Sequence, residues 1–485
     1  MTGRATGPGP ARPLALPGKS ARGGSSAAGS PAPRRERLAD FAPGGLWVVL
    51  WTLLVIDVQP WSARPSAPQG STDASNSMLK GALLGAVFLV GLIATKPGFR
   101  TRVAGTTLVY LGYVLFATAT AFLLDEPLTP LLRLIRLATG LLLAMIIWRP
   151  LLAVPERLLK AHLYAHVFLA GLIAVGVFVS PSQAWRQISS LGAGYRLQGV
   201  ILPMLPPRVG EVGALVCGLA LIAVLNRRMK PIPGTVLVFG GLTLIALSKT
   251  RTAAAALGIG LVLALLLTRK TWFGRLATML APLAVVGAFL AVPVLNNWLL
   301  RGQGTKQIES LSGRTLAWSY IIEEKVAFQT ALIGHGLGNK RVLLRRGEGD
   351  IDVQPIDNSW LGLYWETGLL GVALIAVAFI LAWVAVVRAP TPYIRASTVM
   401  LMGYLTLASI NESGLSDLSS MTVHLLVAAA VADADRWRSR VGPGTVSRIG
   451  RPDRNLRLAI ARASRPVHPS RTAAPRDDPD RKSSS

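Results

Sequence analysis

The side chains best placed to do chemistry are arginines and carboxylates at the edges of apolar runs. Arg251 ends the tight connection SKTR (248–251), Arg314 lies in SGRT (312–315), and Arg196 and Arg208 flank a loop before an apolar run. Asp357 opens DNSW (357–360), Glu366 follows about two turns later, and Glu412 lies in NES (411–413). A guanidinium fork binds phosphate or diphosphate bidentately and does so without a metal. A carboxylate at a partly desolvated boundary has a raised pKa, which suits a general base. Each residue also has a plainer role. Arg251 suits a snorkelling anchor, Asp357 or Asn358 an N-cap, and Glu211 and Glu366 inward-facing acids of a bundle. His335 in GHG (334–336) reads as a turn histidine. The HExxH, GxGxxG and P-loop signatures are missing and Cys217 is the lone cysteine, so neither a metal site nor a cofactor is expected.

The elements that must position these groups are apolar. The chain has 485 residues, a net charge of +27 and a mean hydropathy of +0.46. With 15% charged residues it cannot clothe itself in a water-facing shell. The charge sits apart from the apolar residues. Residues 1–42 hold 7 basic and 2 acidic residues and 436–485 hold 13 and 4, and both read as disordered basic tails. Between them lie about twelve spans of bilayer-crossing length, near 43–58, 78–95, 103–124, 130–148, 161–180, 209–225, 232–248, 253–268, 276–295, 359–387, 396–410 and 416–433. The expected fold is an all-α polytopic membrane protein with its transmembrane domain at 43–435. Five alternate loops carry 14 basic residues and fall on the same side as both tails. The positive-inside rule puts that side, with both termini, in the cytoplasm. The opposite side then carries a loop at 181–208 and a long segment, 296–357, with an amphipathic helix expected over Thr315–Phe328. The +27 is used on membrane orientation and anionic lipid, and nucleic acid is not an expected partner.

The stretch 311–339, LSGRTLAWSYIIEEKVAFQTALIGHGLGN, followed by IDNSWLGLYWETGLLGVALI (356–375), resembles the signature region of the O-antigen ligase-like membrane proteins. That group includes O-antigen ligases, O-antigen and exopolysaccharide polymerases and related oligosaccharyltransferases. The matching residues are Gly313-Arg314, Trp318, Gly334-x-Gly336, Asp357-Asn358 and Glu366-Thr367-Gly368-Leu369-Leu370-Gly371, with SKTRTA (248–253) resembling the family's upstream Ser-x-(Ser/Thr)-Arg turn. The resemblance covers about 195–435. It implies a GT-C-like architecture and a glycosyl transfer at the outer face of the bacterial cytoplasmic membrane. The donor would be a glycan on a polyprenyl diphosphate, and the acceptor a glycan or lipid hydroxyl. By this analogy Arg251 and Arg314 hold the diphosphate without a metal, Asp357 is the base, and Arg196, Arg208, Asn358 and Glu412 contact substrate. Family ligases commonly carry His where this chain has Asp357, so ligase and polymerase both stay open. Two other classes fit part of the pattern. A transporter or flippase would use the same arginines and acids, and a scaffold would contact other polysaccharide assembly proteins through the basic tails.

Overall fold

The computed structural model describes residues 41–60, 74–95, 103–187, 195–268, 314–345 and 351–441. The chain divides into a unit Met1–Pro43 and a unit Gly44–Ser485, and it is the second that carries the described fold. Its long helices are α1 (Phe41–Val58), α2 (Ala74–Ala94), α3 (Gly105–Ala121), α4 (Leu128–Leu151), α5 (Pro155–Val179), α6 (Pro206–Leu225), α7 (Pro231–Ser248) and α8 (Arg251–Thr268). Two short helices follow, α9 (Arg314–Glu323) and α10 (Phe328–Ile333), and then three long ones, α11 (Ser359–Val387), α12 (Pro392–Asn411) and α13 (Ser420–Val441).

Six of these, α4 to α8 and α11, are long and apolar enough to cross a membrane. Helices occupy every expected span except 276–295, which lies outside the described residues. The outer surface is apolar as well: Phe178 is 85% exposed, Ile232 79% and Ile93 77%. Exposure of large apolar side chains on this scale fits a lipid-facing surface.

Packing uses small residues where helices cross. A Cβ on Gly213 would stand 2.6 Å from the Gly241 carbonyl oxygen, so α6 and α7 meet backbone to backbone. Gly260 on α8 comes as close to the Met400 carbonyl on α12. In an apolar solvent, close approach of this kind replaces the hydrophobic drive that water supplies.

The helix ends correct several expectations. Four of the long helices begin on proline, at Pro155, Pro206, Pro231 and Pro392. Its missing N–H and preset φ cost nothing in a first turn. The expected inner loop 149–160 is therefore mostly helix. The C-terminal tail does not start at 436, because α13 runs to Val441 with Arg438 and Arg440 in its last turn, where cations suit the helix dipole. The two long loops are not purely irregular or helical. Each carries an antiparallel pair: β1 (Trp185–Gln187) with β2 (Tyr195–Leu197), and β3 (Arg341–Arg345) with β4 (Ile351–Pro355). The all-α expectation missed both. The helix expected over Thr315–Phe328 stops at Glu323, and α10 begins after a short break.

Candidate functional site at one end of the bundle

The turn between α7 and α8 is shaped by its hydroxyls. Lys249 adopts the left-handed conformation (φ 49°), which reverses the chain. The Thr250 hydroxyl donates to the Pro206 carbonyl at 3.1 Å and lies 3.0 Å from Ser248 Oγ. Arg196, from β2, donates through Nε to the Ser248 carbonyl at 2.8 Å. The turn is thus tied to the start of α6 and to the β1–β2 hairpin, and it delivers half-buried Arg251 as the first residue of α8.

Arg208, one turn end of α6, sits between two carboxylates. Its Nη1 lies 2.6 Å from Glu211 Oε2 and its Nη2 3.6 Å from Glu412 Oε2. The Arg208 and Glu211 side chains are only 12% and 5% exposed. The guanidinium is therefore occupied in joining α6 to the end of α12. A small cavity opens beside this pair, lined by Pro207, Glu211, Thr250, Thr252, Tyr404 and Glu412 among others.

Asp357 is half-buried and stands one residue ahead of α11. Asn358 caps that helix: its Oδ1 accepts from the Trp360 and Leu361 backbone amides at 2.9 and 3.1 Å. Ser359 donates to the Glu412 carbonyl at 2.7 Å. These bonds place Asp357, Glu412, Arg208 and the 248–251 turn around the same end of the bundle. Arg314 is the first residue of α9. That helix buries Ala317 and Ile321 against Val342, Ile356 and Trp365, with Trp318 packed alongside. Helix α9, β3 and Ile356 are thereby packed onto the start of α11.

The glycines of the motif form a joint. Gly334 (φ +76°) lies against the Glu366–Thr367 backbone, and Gly368 (φ +64°) breaks α11 and lies against the Leu332 carbonyl. No side chain fits either contact, and both backbones are in a region that L residues rarely adopt. Glu366 Oε1 accepts from the Gly338 amide at 2.7 Å, which makes it a strut of this joint. His335 stacks on Trp365 with ring centres 3.9 Å apart.

A second ionic group was not foreseen. Asp417 pairs with Lys340 at 3.2 Å and Arg133 at 3.4 Å, and Asp57 pairs with Arg136 at 3.1 Å. Burial pushes the Asp417 carboxyl up, but Lys340, Arg133 and Arg136 together outweigh it and hold it below its usual range. Two arginines three residues apart inside an apolar span were the available signal. A further group, His162, His166 and His424, lies buried deeper in the bundle.

Residues 234–376 match the family model described as O-Antigen ligase. Over that stretch the chain is similar to the O-antigen ligase family. No curated protein matches it. The O-antigen ligase-like stretch contains Arg251, Arg314, Asp357, Asn358, Glu366 and the Gly368 break. Arg196, Arg208 and Glu412 lie outside it and are joined to it by the contacts above. The six candidate spans and the match indicate a multi-pass membrane protein, and the match supports a glycosyl-transfer class in general.

Proposed function

We propose that the chain transfers a glycan from a polyprenyl-diphosphate carrier to an acceptor hydroxyl at the outer face of a bacterial cytoplasmic membrane. It would act as a surface-polysaccharide polymerase or an O-antigen ligase-like enzyme, with both termini in the cytoplasm and twelve spans in all. The observation that carries this reading is the gathering of the 248–251 turn, Arg208, Glu412 and the Asp357–Ser359 helix start at one end of the bundle.

In this mechanism Asp357 takes the proton from the acceptor hydroxyl. The hydroxyl oxygen bonds to the anomeric carbon, and the bond from that carbon to the diphosphate oxygen breaks. Arg251 and Arg314 stabilise the charge arriving on the leaving diphosphate. Arg196 and Arg208, each held by neighbours, set the walls of the site, as do Glu412 and the Asn358 cap. The basic tails hold anionic lipid and other assembly proteins on the inner side.

Deletion-strain complementation tests the reading. Arg251→Ala and Arg314→Ala should abolish the surface glycan while the protein accumulates normally in the membrane. Arg251→Lys should also impair, because a point charge does not replace a bidentate fork. Wild-type glycan in both alanine variants would refute the proposal. Uptake of an anionic solute by vesicles lacking lipid-linked sugar would favour a transporter instead.

A further inference from the structure

Three histidines meet inside the bundle. His162 and His166 stand one turn apart on α5, and His424 comes from α13, 262 residues from His162. All three are at most 1% exposed. Each offers a ring nitrogen, and these nitrogens all lie within 4.8 Å of one another.

The hydrogen bonds decide which nitrogens carry protons. His424 Nε2 lies 3.0 Å from Glu211 Oε1, and an ionised carboxylate only accepts, so Nε2 bears the hydrogen and Nδ1 presents a lone pair. His166 Nδ1 lies 2.8 Å from the His162 carbonyl, so it too is the protonated nitrogen, and Nε2 is a bare lone pair. That Nε2 is buried and has no partner among the described residues, and neither has His162 Nδ1. One proton remains between His162 Nε2 and His424 Nδ1, which are 3.1 Å apart. With the His424 and His166 hydrogens committed to Glu211 and a carbonyl, three lone pairs share one remaining hydrogen, in a place closed to water. Leaving buried acceptors of this kind unmet is destabilising.

A cation would meet them. We propose that His162, His166 and His424 form a binding site for a divalent transition-metal ion of the zinc type. Imidazole ligands suit zinc and its neighbours rather than magnesium or calcium. Ligand nitrogens about 2.0–2.1 Å from a tetrahedral ion stand roughly 3.4 Å apart. The His162–His424 pair is already near that spacing, and a small swing of the His166 ring completes it. The outer shell is in place. His424 donates to a carboxylate and His166 to a backbone carbonyl, the two partners that orient metal-bound imidazoles. On binding, the His162 proton moves from Nε2 to Nδ1, so no proton need leave the site. Glu211 offsets one of the ion's charges and also lines the cavity at the bundle end. Such an ion would cross-link α5, α13 and, through Glu211, α6. It is separate from the transfer chemistry proposed above.

The test uses the full chain, purified in detergent without a polyhistidine tag. After dialysis against zinc, wild type should retain about one equivalent per chain. Added zinc should raise its unfolding temperature above that in chelator. His166→Gln, with unchanged elution in chelator, should lose at least tenfold in zinc affinity and show no thermal shift. Cobalt(II) loaded into wild type should give the intense visible bands of a tetrahedral nitrogen-ligated ion. That readout decides the matter even if the variant fails to fold. Retention of less than a tenth of an equivalent by wild type would overturn the site. So would undiminished zinc binding in folded His166→Gln, or an octahedral cobalt spectrum.

Discussion

Removing Arg208 tests whether its guanidinium serves substrate or structure. In the fold it lies 2.6 Å from Glu211 and 3.6 Å from Glu412, with 12% and 5% of the Arg208 and Glu211 side chains exposed. Arg208→Ala would leave Glu211 buried with His424 and Ser420 as hydrogen-bond partners but no cation beside it. Breaking a buried ion pair from one side costs about 3–5 kcal/mol. Coulomb attraction between unit charges about 4 Å apart, at an effective dielectric near 20, is about 4 kcal/mol, the same size. Glu211→Gln in the same chain removes the stranded charge and keeps an oxygen for His424. The double variant should therefore recover at least about 2 kcal/mol of what the single variant loses. Reversible unfolding in mixed detergent micelles, followed by circular dichroism, measures both. A single variant within about 0.5 kcal/mol of wild type would refute the reasoning. A double variant no more stable than the single one would do the same. Recovered stability without recovered glycan would return Arg208 to the substrate.

Asn358→Ala should cost about 1 kcal/mol through the lost cap, whereas Asn358→Asp should unfold with wild type, as compared in the same micelle assay. Gly368→Ala should lose at least about 2 kcal/mol, because its φ of +64° and the facing Leu332 carbonyl both reject a Cβ; an unchanged unfolding midpoint would contradict the joint. Asp417 is held below its usual pKa, so its ion pairs are complete above the unfolded value of about 3.9 and are lost as pH falls through the lower folded value. The stability advantage of wild type over Asp417→Asn should stay constant from pH 7 to 5 and shrink only below about pH 4.

The sequence by itself determined the helices, because a bilayer demands apolar runs of a set length and 359–387, 231–248 and their like supply them. It also marked Arg251, Arg314 and the 357–371 motif, since local turns and caps are built from neighbouring residues. Its glycines could be seen but not their purpose, which is the contact of Gly334 and Gly368 with each other's strands of backbone. The two hairpins were hidden because strands of three and five residues in a mixed loop leave little alternation to read. The tertiary structure alone decided the pairings. Arg208 with Glu412, Arg133 with Asp417 and His162 with His424 are each joined across 200 residues or more. In an apolar bundle a buried polar group must find a partner wherever the helices bring one, and no local spacing records which helix that will be.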